Sequence, residues 1–119
     1  MELEIKAGHA RGTVQAPPSK SAAHRLLLCA GLSKGVSVVR NVAFSEDILA
    51  TIDVLRALGA KVYVDGNFVF IKGADVTRAV CSAPISCRES GSTLRFCIPL
   101  LLLSGKAFTL TGQIGRAHV

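Results

Sequence analysis

Apolar and polar side chains alternate along Leu3-Glu4-Ile5-Lys6-Ala7, the period-two pattern of a strand with one buried face. A second short strand is predicted from Gly12 to Ala16, stopped by Pro17-Pro18. From Ser19 through Leu32 the spacing becomes helical, with Gly35 as the stop signal, and Val36-Ser37-Val38-Val39 returns to a β-branched strand. Ser45-Glu46-Asp47 opens the clearest helix: a serine cap and two acids suit the positive end of a helix. Ile48, Ile52, Leu55 and Leu58 recur on one side of it, and Gly59 closes it. Val62 to Val64 and Phe68 to Ile71, joined through Asp65-Gly66-Asn67, predict a β-hairpin.

A polar connection runs from Gly73 to Arg78, and Ala79 to Cys87 fits no single pattern, with an extended run its nearest match. Arg88-Glu89-Ser90-Gly91-Ser92 leads into a third apolar helix ending near Ser104-Gly105, where Pro99 is expected to introduce a kink. Phe108-Thr109-Leu110 reads as a strand. The order strand, helix, strand, helix, hairpin and a further helix-to-strand passage predicts an α/β fold with helices packed on mixed sheets. Serine-rich helix openings at Ser19 and Ser90 suggest a structural repeat without residue-by-residue repetition.

Composition narrows the function classes. With 119 residues, 50% of them hydrophobic, the chain can form one compact core. A formal net charge of +6 favours an acidic partner such as nucleic acid, an anionic membrane or a small phosphorylated or carboxylated substrate. Aromatic residues amount to only 5%, with no Trp, which weighs against base stacking and hence against nucleic acid. Cys29, Cys81, Cys87 and Cys97 form no Cys-x-x-Cys pair and have no histidine at zinc-finger spacing; Cys29 and Cys97 fall in apolar helical patterns and are expected in the core. Met1-Glu2-Leu3-Glu4 lacks the basic apolar start of a secretory leader, and the apolar run Phe96 to Leu103 is far short of the roughly 20 residues of a membrane span. A reducing cytoplasm, without a membrane partner, is the expected address.

The chemistry gathers at two helix openings. Pro18-Ser19-Lys20-Ser21-Ala22-Ala23-His24-Arg25 combines unpaired backbone N–H groups, serine hydroxyls and the compact charge of Lys20, with Arg25 four residues after Ser21 on the same face. A phosphate fits such a place. Arg88-Glu89-Ser90-Gly91-Ser92-Thr93-Leu94-Arg95 repeats the design, with Gly91 permitting close backbone approach and Arg95 four residues beyond. Either opening alone has an ordinary explanation, a capped helix with its cations in solvent. Two in one small basic chain point to ligands with separate anionic groups. No Walker loop or Gly-x-Gly-x-x-Gly loop is present. His24 reads as a helix-surface residue, and capping or solvation accounts for Glu46, Asp47 and Asp53, with no carboxylate pair set for acid–base work.

Pro18-Ser19-Lys20-Ser21 followed by Arg25-Leu26-Leu27-Leu28 resembles the opening signature of the 5-enolpyruvylshikimate-3-phosphate synthases. Asn41 to Leu58, Ser90-Gly91-Ser92-Thr93-Leu94-Arg95 and Leu110-Thr111-Gly112 resemble later stretches of that family, so the likeness runs from about Leu3 to Gly112. It implies repeated α/β units in a two-domain enolpyruvyl transferase fold, with residues 1–113 its N-terminal portion and the active site between the domains. It also implies transfer of an enolpyruvyl group from phosphoenolpyruvate to shikimate 3-phosphate, in the shikimate pathway of aromatic amino acid biosynthesis, by a monomer without metal or organic cofactor. Lys20 would touch both substrates, and Ser21 and Arg25 would hold shikimate 3-phosphate. Gly91 would border the phosphoenolpyruvate pocket, with Ser92 and Arg95 supporting the loop. No catalytic acid–base residue is expected in this stretch.

Two departures stand out. Glu89-Ser90-Gly91-Ser92 stands where the family often has Asn-Ala-Gly-Thr, and a glutamate beside an anion site calls for a partner, with Arg88 the nearest. The arginine expected soon after Thr111-Gly112 falls in a suspect tail: Ile114-Gly115-Arg116-Ala117-His118-Val119 matches one reading frame of a sequencing-library adapter, ATC GGA AGA GCA CAC GTC, and residues 114–119 are read as non-native. The related transferase acting on a UDP-amino sugar has Lys-Asn where Lys20-Ser21 stands here, and a basic RNA-binding module would call for a broad basic stripe with exposed aromatics.

Overall fold

The computed structural model describes residues 2–79 and 83–113. Helix α1 covers Lys20–Leu32, strand β1 Val36–Val39, helix α2 Glu46–Ala57, and strands β2 and β3 Lys61–Asp65 and Phe68–Lys72. A single 3-10 turn at Val76–Arg78 leads to β4 at Ile85–Ser86, α3 at Gly91–Leu102 and β5 at Leu110–Thr111. β3 lies between β1 and β2 in an antiparallel sheet, and β4 pairs with β5 in parallel. The expected α/β class with helices on sheets is therefore what forms.

Each helix starts where its serine lies. Ser19, Ser45 and Ser90 each accept the amide of the third residue onward, satisfying one of the donors that a helix start leaves free. α1 stops at Leu32, before Gly35, because the Ser33 hydroxyl and amide both donate to the Ala30 carbonyl and close the last turn. α3 runs unbroken through Pro99, whose missing N–H leaves the Arg95 carbonyl without its usual partner. The hairpin turns in two residues, with Asp65 opposite Phe68 and Gly66 at φ 58°, a conformation that costs glycine little.

α2 is apolar on two sides, and this organises the core. Ile48, Ile52 and Leu55 pack with Leu27 of α1 and Val69 and Ile71 of β3. Val54 and Leu58 pack instead with Ile85, Cys87, Cys97 and Leu101, joining α2 to β4 and α3. Each fully buried leucine or isoleucine contributes about 1.5–3 kcal/mol. α1 and α2 approach so closely that a methyl group on Gly31 would collide with the Leu55 side chain. α2 is thus the shared wall against which α1 and α3 are both set.

Two predicted strands do not form. Residues 2–19 carry no regular secondary structure, and Leu3, Ile5 and Val14 are 79%, 90% and 91% exposed. A strand needs a neighbour for its backbone groups and a surface for its apolar face, and among the described residues none lies alongside this segment. Cys97 is buried as expected, but Cys29 is exposed, since it lies on the side of α1 that turns away from α2 and the sheet. Cys81 and the tail 114–119 lie outside the described residues. Among those described, no helix is long and apolar enough to cross a membrane.

Candidate functional site

The first turns of α1, α2 and α3 meet at Asp47. Its carboxylate accepts a hydrogen bond from Lys20 Nζ at 2.6 Å, and its backbone carbonyl accepts one from the Thr93 hydroxyl at 3.2 Å. One residue of α2 therefore touches the opening of α1 on one side and that of α3 on the other. The Lys20 hydrogen bond, first among several causes, holds the Asp47 carboxyl below the usual carboxylate range. Asp47 is thus an anion that orients Lys20, a role beyond the capping expected for it. Lys20 remains 55% exposed, so its ammonium is still open to a ligand.

The other predicted residues of the α1 opening lie on its outer face. Ser21 is exposed, its hydroxyl makes no hydrogen bond among the described residues, and its carbonyl accepts from Arg25 Nη1 at 3.4 Å. The Arg25 guanidinium carbon sits 5.9 Å from the centre of the Phe96 ring of α3. That cation–π contact carries a cation of the first opening across to α3.

At the α3 opening, Arg95 Nε donates to the Gly91 carbonyl at 3.2 Å. A methyl group on Gly91 would meet only Arg95 Nη2, at 3.3 Å. Gly91 has no positive φ, so what glycine provides there is room at the helix start. Ser92 is half-buried, and its hydroxyl makes no hydrogen bond among the described residues.

The turn before this opening is anchored by Arg88. Its Nε donates to Asp53 at 2.9 Å and its Nη1 to Glu46 at 3.1 Å, both on α2. The Arg88 amide donates to Ser86 Oγ, and its carbonyl accepts from Gln113 N at 2.7 Å. These bonds hold Arg88 at φ 51°, a region that side chains disfavour by roughly 1–2 kcal/mol. Arg88 is therefore committed to Glu46 and Asp53, and Glu89 forms no ion pair among the described residues.

The largest departure from expectation is His24. It is 2% exposed, buried rather than on the surface, because its position on α1 faces α2 and α3. His24 Nδ1 lies 2.8 Å from Thr51 Oγ1, which lies 2.9 Å from Thr93 Oγ1, which lies 2.6 Å from Ser90 Oγ. Burial, the leading cause, lowers the proton affinity of the imidazole. Thr51 carries the one available sequence signal, a hydroxyl among Ile48, Ile52 and Leu55 on the apolar side of its helix. Ser90 and Thr93 are separated by one helical turn, but nothing in the pattern shows that both are buried.

Comparison with known proteins gives a consistent picture. The family model for EPSP synthase (3-phosphoshikimate 1-carboxyvinyltransferase) matches residues 6–115. A 3-phosphoshikimate 1-carboxyvinyltransferase of Clostridium perfringens (strain SM101 / Type A) is 45% identical over 103 residues, covering 87% of this chain and 24% of the relative. A protein of the same name from Clostridium kluyveri is 48% identical over 102 residues, again 24% of its length. Among solved structures, an EPSP synthase from Acinetobacter baumannii superposes with a TM-score of 0.77 at 23% identity, over 87% of this chain and 24% of that one. The chain thus spans about a quarter of the length of these relatives.

Proposed function

The chain belongs to the EPSP synthase (3-phosphoshikimate 1-carboxyvinyltransferase) family, and on that premise we propose that the longer protein carrying it transfers the enolpyruvyl group of phosphoenolpyruvate to shikimate 3-phosphate, releasing inorganic phosphate. The observation that supports this most is the meeting of the α1 and α3 openings on Asp47. Helix starts present free N–H groups and partial positive charge, so two held side by side suit a pair of ligands bearing separate phosphate and carboxylate groups.

In this reading Lys20 contacts both substrates. Ser21 and Arg25 hold shikimate 3-phosphate, Gly91 borders phosphoenolpyruvate, and Ser92 and Arg95 support that loop. The unused Ser21 and Ser92 hydroxyls and the exposed Lys20 ammonium are available for those contacts. A charged hydrogen bond to an anion is worth about 1.5–3 kcal/mol. These residues bind and orient, and the proton-transfer groups lie in the remainder of the longer enzyme. Residues 1–113 are the N-terminal portion of its two-domain fold, and 114–119 are foreign to it. The enzyme acts as a cytoplasmic monomer on small molecules, without metal, organic cofactor, nucleic acid or membrane.

A phosphate-release assay on the full-length protein tests this: release is expected only when both substrates are present. Release with a UDP-amino sugar as acceptor instead would overturn the choice of substrate. Residues 1–113 alone, with each pocket half built and open to solvent, are expected to bind shikimate 3-phosphate at millimolar strength or weaker and to release no phosphate.

A further inference from the structure

The Asp47 carbonyl sets a direction for the protons of the hydroxyls between the two openings. The Asp47 carbonyl can only accept, so the Thr93 hydroxyl donates to it. With its one proton spent, Thr93 Oγ1 must accept from Thr51, while Ser90 Oγ lies against Thr93 Oγ1 and also hydrogen-bonds the Asp47 carboxylate. Thr51 has no proton left for the imidazole, so His24 Nδ1 carries a hydrogen and donates it to Thr51 Oγ1. Nε2 is left as a bare, buried nitrogen with no partner among the described residues. The direction runs from α1 through α2 to α3, and it ends on the residue that also holds Lys20.

Buried hydroxyls would be costly if unpaired, at about 1–3 kcal/mol each. Here Thr51 and Thr93 are paired across helix boundaries, so the helices cannot slide without breaking a bond. Nothing in capping requires this: Ser19 and Ser90 complete their helix starts within their own helices. We propose that His24, Thr51 and Thr93 are positioning residues, a buried imidazole–hydroxyl chain that sets the distance between the Lys20 and Gly91 openings. This rests on the functional reading above for its substrates but not for its geometry. The charged groups nearest His24 are Lys20 and Arg25 on α1 and Asp47 on α2. α3 presents Thr93 and Phe96, neither of which titrates.

The test uses the full-length protein with Thr51→Val, His24→Leu and His24→Asn. Thr51→Val keeps the shape and both caps but cuts the chain in the middle. A ligand that touches both openings depends on their spacing, whereas inorganic phosphate needs only one. Thr51→Val and His24→Leu are therefore expected to weaken binding of the substrate pair about fivefold or more while leaving inorganic phosphate within about twofold. His24→Asn, whose amide nitrogen can replace Nδ1–H, is expected to recover most of the loss. Equal weakening of both ligands, or no rescue by Asn over Leu, would overturn the proposal. Two ligand-free readings keep it separable from the function assignment. The ring-nitrogen spectrum of His24 should show hydrogen on Nδ1 alone at neutral pH. Amide exchange at Thr93 should quicken in Thr51→Val, although Thr51 lies on another helix. If the wild-type protein bound neither substrate, the function would fall while these two readings still decided the positioning role. Hydrogen on Nε2, or unchanged exchange at Thr93, would overturn it.

Discussion

At the start of α1, the Ser19 hydroxyl accepts the Ala22 amide at 3.2 Å on an exposed surface. At the start of α3, the Ser90 hydroxyl accepts the Thr93 amide at 3.1 Å with 1% of the residue exposed. The first opening carries its charge in solvent, on Lys20 and Arg25, with Asp47 as a tether. The second is sealed by hydroxyls inside and by Arg88 and Arg95 outside. One local motif thus serves two ends. Where water screens it, the cap mainly starts a helix, and ligand affinity must come from full charges. Where it is dry, the same hydroxyl becomes part of a network whose geometry is hard to change.

Removing the charge from the open side should have the largest effect. Lys20→Ala in the full-length enzyme is expected to lower turnover at least a hundredfold, from roughly 3 kcal/mol or more of lost contacts to two anions. Thermal stability should barely change, because an exposed ion pair such as Lys20–Asp47 contributes little. A loss of activity below threefold would remove Lys20 from the site.

The caps themselves provide the sharpest contrast. Ser90→Ala leaves Thr93 N and Thr93 Oγ1 short of a buried partner and is expected to cost about 2 kcal/mol of unfolding free energy. Ser19→Ala leaves the exposed Ala22 amide free to turn to water and should cost about 0.5–1 kcal/mol. Urea unfolding of both variants measures this, and equal losses would mean that burial makes no difference to the cap.

Gly91→Ala should have a smaller effect confined to the second opening. The added methyl presses on Arg95 Nη2 rather than on backbone, so the fold should hold while Arg95 shifts by a few tenths of an ångström. A several-fold rise in KM for phosphoenolpyruvate, larger than that for shikimate 3-phosphate, is expected. Equal rises would make the loop a general structural element.

The smallest effect is a pH slope. Burial lowers the His24 pKa from its usual 6.5, so on acidification the unfolded chain takes up a proton before the folded one does. Its contribution to stability is intact above about pH 6.5, falls as pH drops toward the folded-state midpoint, and is then flat. The slope from this one group cannot exceed about 1.4 kcal/mol per pH unit. Denaturation midpoints over that range should show the slope in the wild type and lose it in His24→Asn. Asp47, whose carboxyl is lowered from 3.8, acts in a separate and more acidic window, where stability present above 3.8 is lost as it protonates.

Periodicity and capping residues determined the helices and the hairpin, because both signals act over one or two turns of chain. The cations of the two openings were legible for the same reason: Lys20, Arg25 and Arg95 lie within two turns of their own caps. The strands expected near Leu3 and Gly12 show the limit, since alternation supplies a face but not the neighbour that a strand must have. Only the tertiary structure brought Asp47 to Lys20, Glu46 and Asp53 to Arg88, and His24, Thr51 and Thr93 into one chain. Those partners are 27 to 42 residues apart, and which side of a helix is buried depends on what packs against it. A histidine beside two basic residues looks solvated in sequence, but packing against α2 and α3 removed the water and made its hydrogen bonds specific.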